Sequence, residues 1–441
     1  MHELAWEGTR AREDGRTRTR WWVRGTAALA CVHLFGLLQN SPLQPYVWRY
    51  DFLITLGLCG FAALYAALRL LNDGLRVSGL EACVLVVAGA FPLYSAWRAG
   101  VVFGQPLLYG VLAQRNMLMA FYALVAASAL RSGRLRLADA ERILLALCWV
   151  SAAAFYAVTV ARALGWEPAP ILEGSEVRFG RNNFNVILMA FGVCYYFVRY
   201  VREGSARSGA ALAFLLASIV LVREARGITV ALIVALGFYL VGSATWRQKR
   251  RFLRLSGGLL LVLALSVVAV PGLTGRLAEV GVLFGEAAAV VLGGSSDDFS
   301  ASARVVQFAK ALPYLQDHLL LGNGLLSAQW QGGFERLLGY FHPADLGIVG
   351  VVFLYGLAGV VLFSVQLVVA YRVVRRIDRR RASTFALALH VFLGYLYALS
   401  LITGLVLVAV GISLVVLALL IAAVREGERA RGAALRISGS A

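Results

Sequence analysis

Four arginines and one histidine stand out as residues whose types could do chemistry: Arg178, Arg181, Arg226, Arg304 and His342. Each lies in a polar stretch close to hydrophobic chain, where charged groups are expensive and often functional. Guanidinium groups pair with phosphate oxygens and offset the charge that develops on a leaving group. An imidazole can take a proton from a hydroxyl near neutral pH. Together these residue types favour a pyrophosphate-linked lipid substrate and an acceptor that the histidine activates.

Three of the arginines precede or open hydrophobic stretches. Arg178 and Arg181 stand just before such a stretch, and guanidinium groups beside a helix N-terminus form a natural anion site. Simple anchoring at the membrane interface is the alternative. Arg226 stands at the start of another hydrophobic stretch, 227–245, where Gly227 leaves room for close approach. The neighbouring pair Arg223 and Glu224 favours a hairpin cap with a snorkelling side chain.

The other two candidates lie in a long polar segment. Arg304 falls in a predicted amphipathic helix over 302–312, with Ser302 as its N-cap and Pro313 as its end. The apolar stripe of this helix consists of Val305, Val306, Phe308, Ala309 and Leu312. A solvated arginine is the alternative there. His342 stands where the chain re-enters the hydrophobic region, and an interfacial histidine capping the next helix is the alternative.

Neither a metal site nor a disulfide framework is predicted. No cluster of Asp or Glu of the metal-binding type accompanies the candidate residues, apart from Asp297–Asp298 in a Gly-Ser-rich stretch. All five cysteines fall in apolar segments without metal-type spacing, which predicts buried, inert thiols: Cys31, Cys59, Cys83, Cys148 and Cys194. We therefore expect metal-independent chemistry with no cofactor.

The elements that position these residues are hydrophobic helices. Of the 441 residues, 60% are hydrophobic and only 15% are charged, which excludes a soluble protein. A bilayer-spanning helix needs roughly 20 apolar residues. The predicted spans are 22–40, 51–71, 79–97, 115–131, 143–164, 183–199, 208–222, 227–245, 255–271, 346–371, 383–403 and 405–424. The fold class is thus an all-α integral membrane protein of about twelve spans.

Arginine distribution predicts the orientation of these spans. The net charge of +18 is concentrated in short clusters between hydrophobic segments, which is typical of cytoplasmic loops rather than of a nucleic-acid surface. The basic connections are the N-terminus, 131–142, 199–207, 247–254, 372–381 and the C-terminus. A twelve-span arrangement puts all of them, and both termini, on the cytoplasmic side. No cleavable signal peptide is predicted. The five candidate residues then share the outer face.

One long connection interrupts the pattern of short links. The predicted division is an N-terminal bundle of nine spans at 1–271, a loop at 272–345, and three spans with a basic tail at 346–441. Loops longer than ~15 residues are uncommon unless they are functional. We expect this one to form a partly helical periplasmic cap over the bundle.

Several short motifs together resemble the O-antigen ligase and O-antigen polymerase superfamily of bacterial envelope glycosyltransferases. The resemblance is clearest from about 220 to 365. The motifs are Arg226-Gly227, Ser302-Ala303-Arg304, Leu319-Leu320-Leu321-Gly322-Asn323-Gly324, His342, and Leu354-Tyr355-Gly356-Leu357 with Gly359. The stretch Arg181-Asn182-Asn183 is similar to another family segment.

This resemblance implies a bundle of the glycosyltransferase type C kind in the bacterial inner membrane. The donor would be a glycan on undecaprenyl pyrophosphate, held by Arg226 and Arg304. His342 would orient or deprotonate an acceptor hydroxyl that attacks the anomeric carbon with inversion. The acceptor favoured is lipid A–core, because the chain has one large outer loop, whereas polymerases of the superfamily tend to have two.

Other functions remain open on the sequence alone. A polymerase of the same superfamily is one alternative, and a transporter or flippase for anionic lipid-linked substrates is another. A scaffold without activity is a third. The chain also departs from the family at one position, because the histidine is commonly followed by asparagine and here Pro343 follows, with Asp345 nearby.

Overall fold

The computed structural model describes residues 21–37, 44–72, 78–165, 186–222, 226–269, 299–379 and 381–438. These parts of the chain are helical, and none of them contains a strand. The helices are α1 (21–34), α2 (Gln44–Asn72), α3 (Gly79–Phe103, with a π-helical turn at Val86–Ala90), α4 (Leu107–Ala113), α5 (Tyr122–Arg131, after a 3₁₀ turn at Arg115–Phe121), α6 (Leu137–Ala163), α7 (Ile187–Glu203), α8 (Ala206–Ala217, followed by a π-helical turn at Ser218–Val222), α9 (Arg226–Gly242), α10 (Trp246–Ala269), α11 (Phe299–His318), α12 (Gly333–Leu338), α13 (Ile348–Arg375), α14 (Thr384–Thr403) and α15 (Leu405–Ser438).

The hydrophobic helices identify a multi-pass membrane protein. Within the described residues, four helices are long and apolar enough to cross a bilayer, and the number rises to six if each of two bent pairs counts as one span. Three shorter apolar helices lie at Thr55–Leu68, Ala206–Val220 and Arg226–Gly242. The number of twelve spans stays a prediction. All five cysteines are free thiols, and four of them are buried.

α14 lies at the centre of the bundle. It contacts α7, α9, α13 and α15, and large side chains such as Phe392 and Tyr395 are almost completely buried on it. Phe392 packs edge-on against Phe191 of α7, with ring centroids 5.4 Å apart. α9 and α14 run in opposite directions, so the end of α14 lies beside the start of α9.

One end of the bundle gathers several of the basic connections. The guanidinium of Arg202 donates to the carbonyl of Ala382 at 2.7 Å, and Arg379 donates to the carbonyl of Gly242. Arg431 in the C-terminal helix pairs with Asp378 at 2.7 Å. The basic connections 199–207 and 372–381 and the C-terminal tail therefore meet at one end, which we call the basic end.

The N-terminal basic groups adjoin the same end. Arg24 pairs with Asp139 at 2.7 Å, and Arg131 pairs with Glu81 at 3.4 Å. At the start of α3, a Cβ on Gly79 would lie 3.3 Å from Val369, which is one turn before Arg372 of α13. The arginine clusters that the sequence assigned to one side are thus neighbours in space.

The loop helix differs from its prediction in three respects. α11 runs from Phe299 to His318, so Ser302 lies inside it rather than at its N-cap, and Pro313 does not end it. Packing on both sides of the proline explains this: Ala311 is fully buried, and the ring of Tyr314 packs against Phe353 at 6.0 Å. The predicted apolar stripe is exposed along its whole length at Val305, Val306, Phe308, Ala309 and Leu312.

The segment after α11 enters the bundle instead of lying over it. α13 is broken at Gly356, whose backbone has φ 64° and ψ −170°. Backbone N–H groups of Asn323 and Gly324 donate to Phe353 and Leu354 at 2.9 and 2.8 Å, and Leu357 donates to Leu319 at 2.9 Å. Residues 319–327, which we call the re-entrant segment, therefore lie between α3 and α13, and the expectation of a cap over the outer surface stays a prediction. Residues 272–298 of the predicted loop lie outside the described part.

Candidate active site

His342 stands between two buried neighbours. Phe341 is 2% exposed and packs against Phe353 with ring centroids 4.9 Å apart, and Pro343 is buried as well. His342 has an extended backbone, so its side chain points away from both neighbours and is exposed. The ring of Tyr340 contacts the imidazole edge-on at 5.0 Å. The local fold thus presents this histidine at the surface of the bundle end.

Pro343 explains the geometry that follows the histidine. It is the first residue of a short 3₁₀ helix, Pro343–Leu346, where a missing N–H costs nothing. The carbonyl of His342 accepts the N–H of Asp345 at 2.9 Å. A tight turn that begins with Pro343 therefore follows His342 directly.

α11 brings Arg304 to the same place. The side-chain Oε1 of Gln307 accepts the backbone N–H of His342 at 2.7 Å. Arg304 lies three residues before Gln307 on the helix, so the two share one face. Arg304 is exposed. Arg304 thus lies one helical turn along α11 from the residue whose side chain accepts the backbone N–H of His342.

Arg226 reaches this region through the end of α14. A Cβ on Gly227 would lie 3.2 Å from Thr403 and 3.4 Å from Ile402, so the start of α9 packs directly on these residues. Gly347, with φ 58°, packs on the same helix end, so closely that a Cβ would overlap the carbonyl of Leu401. Arg226 and the turn after His342 therefore flank the same helix end, which we call the site end.

Two of the predicted site arginines lie outside the part of the chain that the structure describes. Arg178 and Arg181 lie outside the described residues, as do Arg223 and Glu224. Whether the first two contribute to the site stays a prediction.

A set of polar side chains on and after α3 holds the re-entrant segment, and the sequence analysis did not identify them. Arg98 is 7% exposed, and its Nε donates to the carbonyl of Gly322 at 3.0 Å. Tyr94 donates to the carbonyl of Leu321 at 2.6 Å, and Gln105 Oε1 accepts the N–H of Ser327 at 2.7 Å. A buried arginine within an apolar helix was the signal that could have revealed this network.

Titratable metal ligands do not cluster in the described part of the chain. No group of three or more histidine, cysteine, aspartate or glutamate side chains there could hold a metal ion. The expectation of metal-independent chemistry stays a prediction.

The fold defines a class: a multi-pass helical membrane protein, in which the candidate residues Arg226 and His342 lie in segments that pack on one end of α14. Residues 211–364 match the family model described as O-antigen ligase. This match confirms the resemblance to the O-antigen ligase superfamily, and it contains Arg226, Arg304 and His342. The curated proteins compared with the chain include no match. Similarity to this family over residues 211–364 indicates glycan transfer of the ligase or polymerase type.

Proposed function

We propose that the site end transfers a glycan from undecaprenyl pyrophosphate to an acceptor sugar on the outer face of the inner membrane. The observation that carries the proposal is the bond between Gln307 and the backbone of His342, at 2.7 Å. This bond ties the backbone of the candidate base to α11, one helical turn from the position of Arg304.

The reaction is a displacement at the anomeric carbon. An acceptor hydroxyl oxygen bonds to that carbon while the bond from the carbon to the pyrophosphate oxygen breaks. His342 takes the hydroxyl proton, and undecaprenyl pyrophosphate departs with the electron pair. Arg226 and Arg304 bind the diphosphate, because fixed guanidinium groups stabilise the negative charge that grows on the leaving group. Attack from the opposite side inverts the anomeric configuration.

The favoured acceptor is lipid A–core, with the polymerase reaction as the alternative. In a ligase the acceptor hydroxyl belongs to a lipid-anchored core sugar, whereas in a polymerase it belongs to a second donor-linked glycan. The chemistry at His342 is the same in both cases, so only the product distinguishes them.

A reconstitution experiment tests the proposal. The purified full chain is incubated in vesicles with a glycan on undecaprenyl pyrophosphate and with lipid A–core, and glycoconjugate and free undecaprenyl pyrophosphate are measured. We expect both products from the wild type and a loss of about 10²–10⁴-fold with His342→Ala, the range for a general base. The matched control is His318→Ala, which removes a histidine from α11 outside the proposed site.

Each result of this experiment has a clear meaning. Glycan on the core acceptor supports the ligase, and lengthened donor-linked glycan supports the polymerase. Movement of intact donor across the vesicle without free undecaprenyl pyrophosphate would support a transporter and overturn the proposal. Wild-type turnover in His342→Ala would remove the histidine from the mechanism.

A further inference from the structure

Gln307 is an unusual residue in its setting. It is 1% exposed, although its apolar neighbours on α11, such as Val306 and Phe308, are 52% and 43% exposed. Burying an amide side chain is costly unless it is hydrogen-bonded. Its Oε1 accepts the N–H of His342 at 2.7 Å, and this hydrogen bond offsets the cost of burying the amide.

The same face of α11 holds the chain leading to the histidine at a second point. Lys310 Nζ donates to the carbonyl of Leu338 at 2.6 Å. Residues 338–342 thus lie along α11 and are bonded to it at both ends.

We infer that Gln307 is a positioning residue, which sets the imidazole of His342 at a fixed place relative to Arg304. The inference rests on the proposed function, in which these two groups act on the same substrate. Because Arg304 and Gln307 are one turn apart on a rigid helix, the bond from Gln307 fixes the spacing between the diphosphate and the base. No substrate contact by Gln307 itself is required.

Loss of this hydrogen bond should slow catalysis because the bond holds the backbone of His342 in one place. Phe341 anchors one side of the histidine through Phe353, and the turn at Pro343 anchors the other. The His342 N–H lies between these anchors, and Pro343 has no N–H of its own. Without the acceptor on α11 the imidazole can shift, and misplacement of about 1 Å can cost about 10²-fold in rate.

The test compares two substitutions at this position. Gln307→Leu removes the acceptor at nearly constant size, whereas Gln307→Glu keeps an oxygen that accepts the same N–H whether it is ionised or protonated. In the reconstituted reaction we expect Gln307→Leu to lower kcat at least about tenfold with little change in the KM for the donor, because both arginines remain. Gln307→Glu should recover most of kcat.

Gln105 provides the matched control. It is 2% exposed; its Oε1 accepts the N–H of Ser327 at 2.7 Å, and its Nε2 donates to the carbonyl of Leu325 at 3.1 Å. Gln105→Leu therefore removes at least as much buried hydrogen bonding, but away from the histidine. We expect kcat close to wild type for this variant. Equal losses in Gln307→Leu and Gln105→Leu would overturn the inference, because the effect would then be general destabilisation.

His342→Ala is measured in parallel so that two failures can be told apart. If His342→Ala is inactive and Gln307→Leu has wild-type kcat, the inference is wrong and the proposed function stands. If His342→Ala turns over normally, the histidine is not part of the mechanism and the inference about Gln307 fails with it, whereas glycan transfer itself fails only if the wild type forms neither product.

Hydrogen–deuterium exchange tests the bond without any turnover. Exchange in peptides covering 339–343 of the full chain should be faster in Gln307→Leu than in wild type, and unchanged in Gln105→Leu. Equal protection in Gln307→Leu and wild type would overturn the inference, even if the reconstituted chain were inactive.

Discussion

Arg304 is the exposed guanidinium nearest in sequence to the bond that joins α11 to His342. If it binds the diphosphate, Arg304→Ala should lower kcat/KM for the donor by about 10²–10³-fold, the range for loss of one charge-stabilising donor. Arg304→Lys should recover only part of this loss, because an ammonium keeps the charge without the bidentate fork. The measurement is the initial rate of undecaprenyl pyrophosphate release.

Arg336 is a suitable control for this prediction. It is an exposed arginine on α12, in the segment between α11 and His342. Arg336→Ala should leave the rate within about twofold of wild type, since a solvated charge away from the substrate contributes little. A comparable loss in both variants would mean that Arg304 acts only through the general charge of this surface.

At the residue scale the sequence predicts some site members and not others. Arg226, Arg304 and His342 could be found because charged groups beside hydrophobic stretches are conspicuous. Gln307 could not, because a neutral amide in an amphipathic helix is ordinary, and its burial depends on contact with a segment about thirty residues away. Pro343 was recognised as a departure, but its role in the turn required the structure.

At the scale of elements, the re-entrant segment supplies hydrogen-bond partners for the backbone N–H groups at the break in α13. Inside a membrane, backbone groups must find partners within the protein. Gly356 interrupts the helical bonding of α13, and Leu357 and Ala358 donate instead to Leu319 and Leu320 at 2.9 and 3.1 Å. Two motifs that carried the family resemblance, 319–324 and 354–357, are therefore paired with each other.

This pairing predicts that Gly356 cannot be replaced. Its φ is 64°, and a Cβ there would overlap the carbonyl of Leu320, so Gly356→Ala should be strongly destabilising, by at least about 1–3 kcal/mol from backbone strain alone. The matched control is Gly394→Ala in α14, where a Cβ has open space and the change should be neutral or stabilising by ~0.5–1 kcal/mol.

Thermal unfolding of the two purified variants in detergent measures this difference directly. Gly356→Ala should unfold at a clearly lower temperature than wild type, while Gly394→Ala should not. If both variants were as stable as wild type, the re-entrant pairing would not be a structural requirement.

Local sequence patterns explain why this element was only partly predictable. Helical periodicity predicted a helix over 302–312, and α11 extends that helix at both ends. Pro313 was expected to stop it, but packing of Ala311 and Tyr314 outweighs the lost hydrogen bond. The re-entrant pairing joins residues that are thirty or more positions apart, and no local pattern reports it.

At the scale of the whole molecule, the site end and the basic end lie at opposite ends of antiparallel helices. α9 and α14 have 17 and 20 residues, which corresponds to a separation of about 25–30 Å at 1.5 Å per residue. That distance is comparable to the thickness of the hydrocarbon core of a bilayer. The arginine distribution predicts that the basic end is cytoplasmic, since Lys and Arg collect in cytoplasmic loops.

The central claim is that Arg304 and His342 form one diphosphate site on the face opposite the basic end. The most direct measurement places a cysteine at position 342 by His342→Cys and labels right-side-out vesicles with a membrane-impermeant maleimide, with and without a short-chain polyprenyl diphosphate. The unsubstituted chain, whose cysteines are buried or half-buried, gives the background.

The account predicts rapid labelling from outside, protection by the diphosphate, and loss of that protection when Arg304→Ala is added. Labelling only from the inner side would contradict it. So would labelling that the diphosphate leaves unchanged while Arg304 is intact.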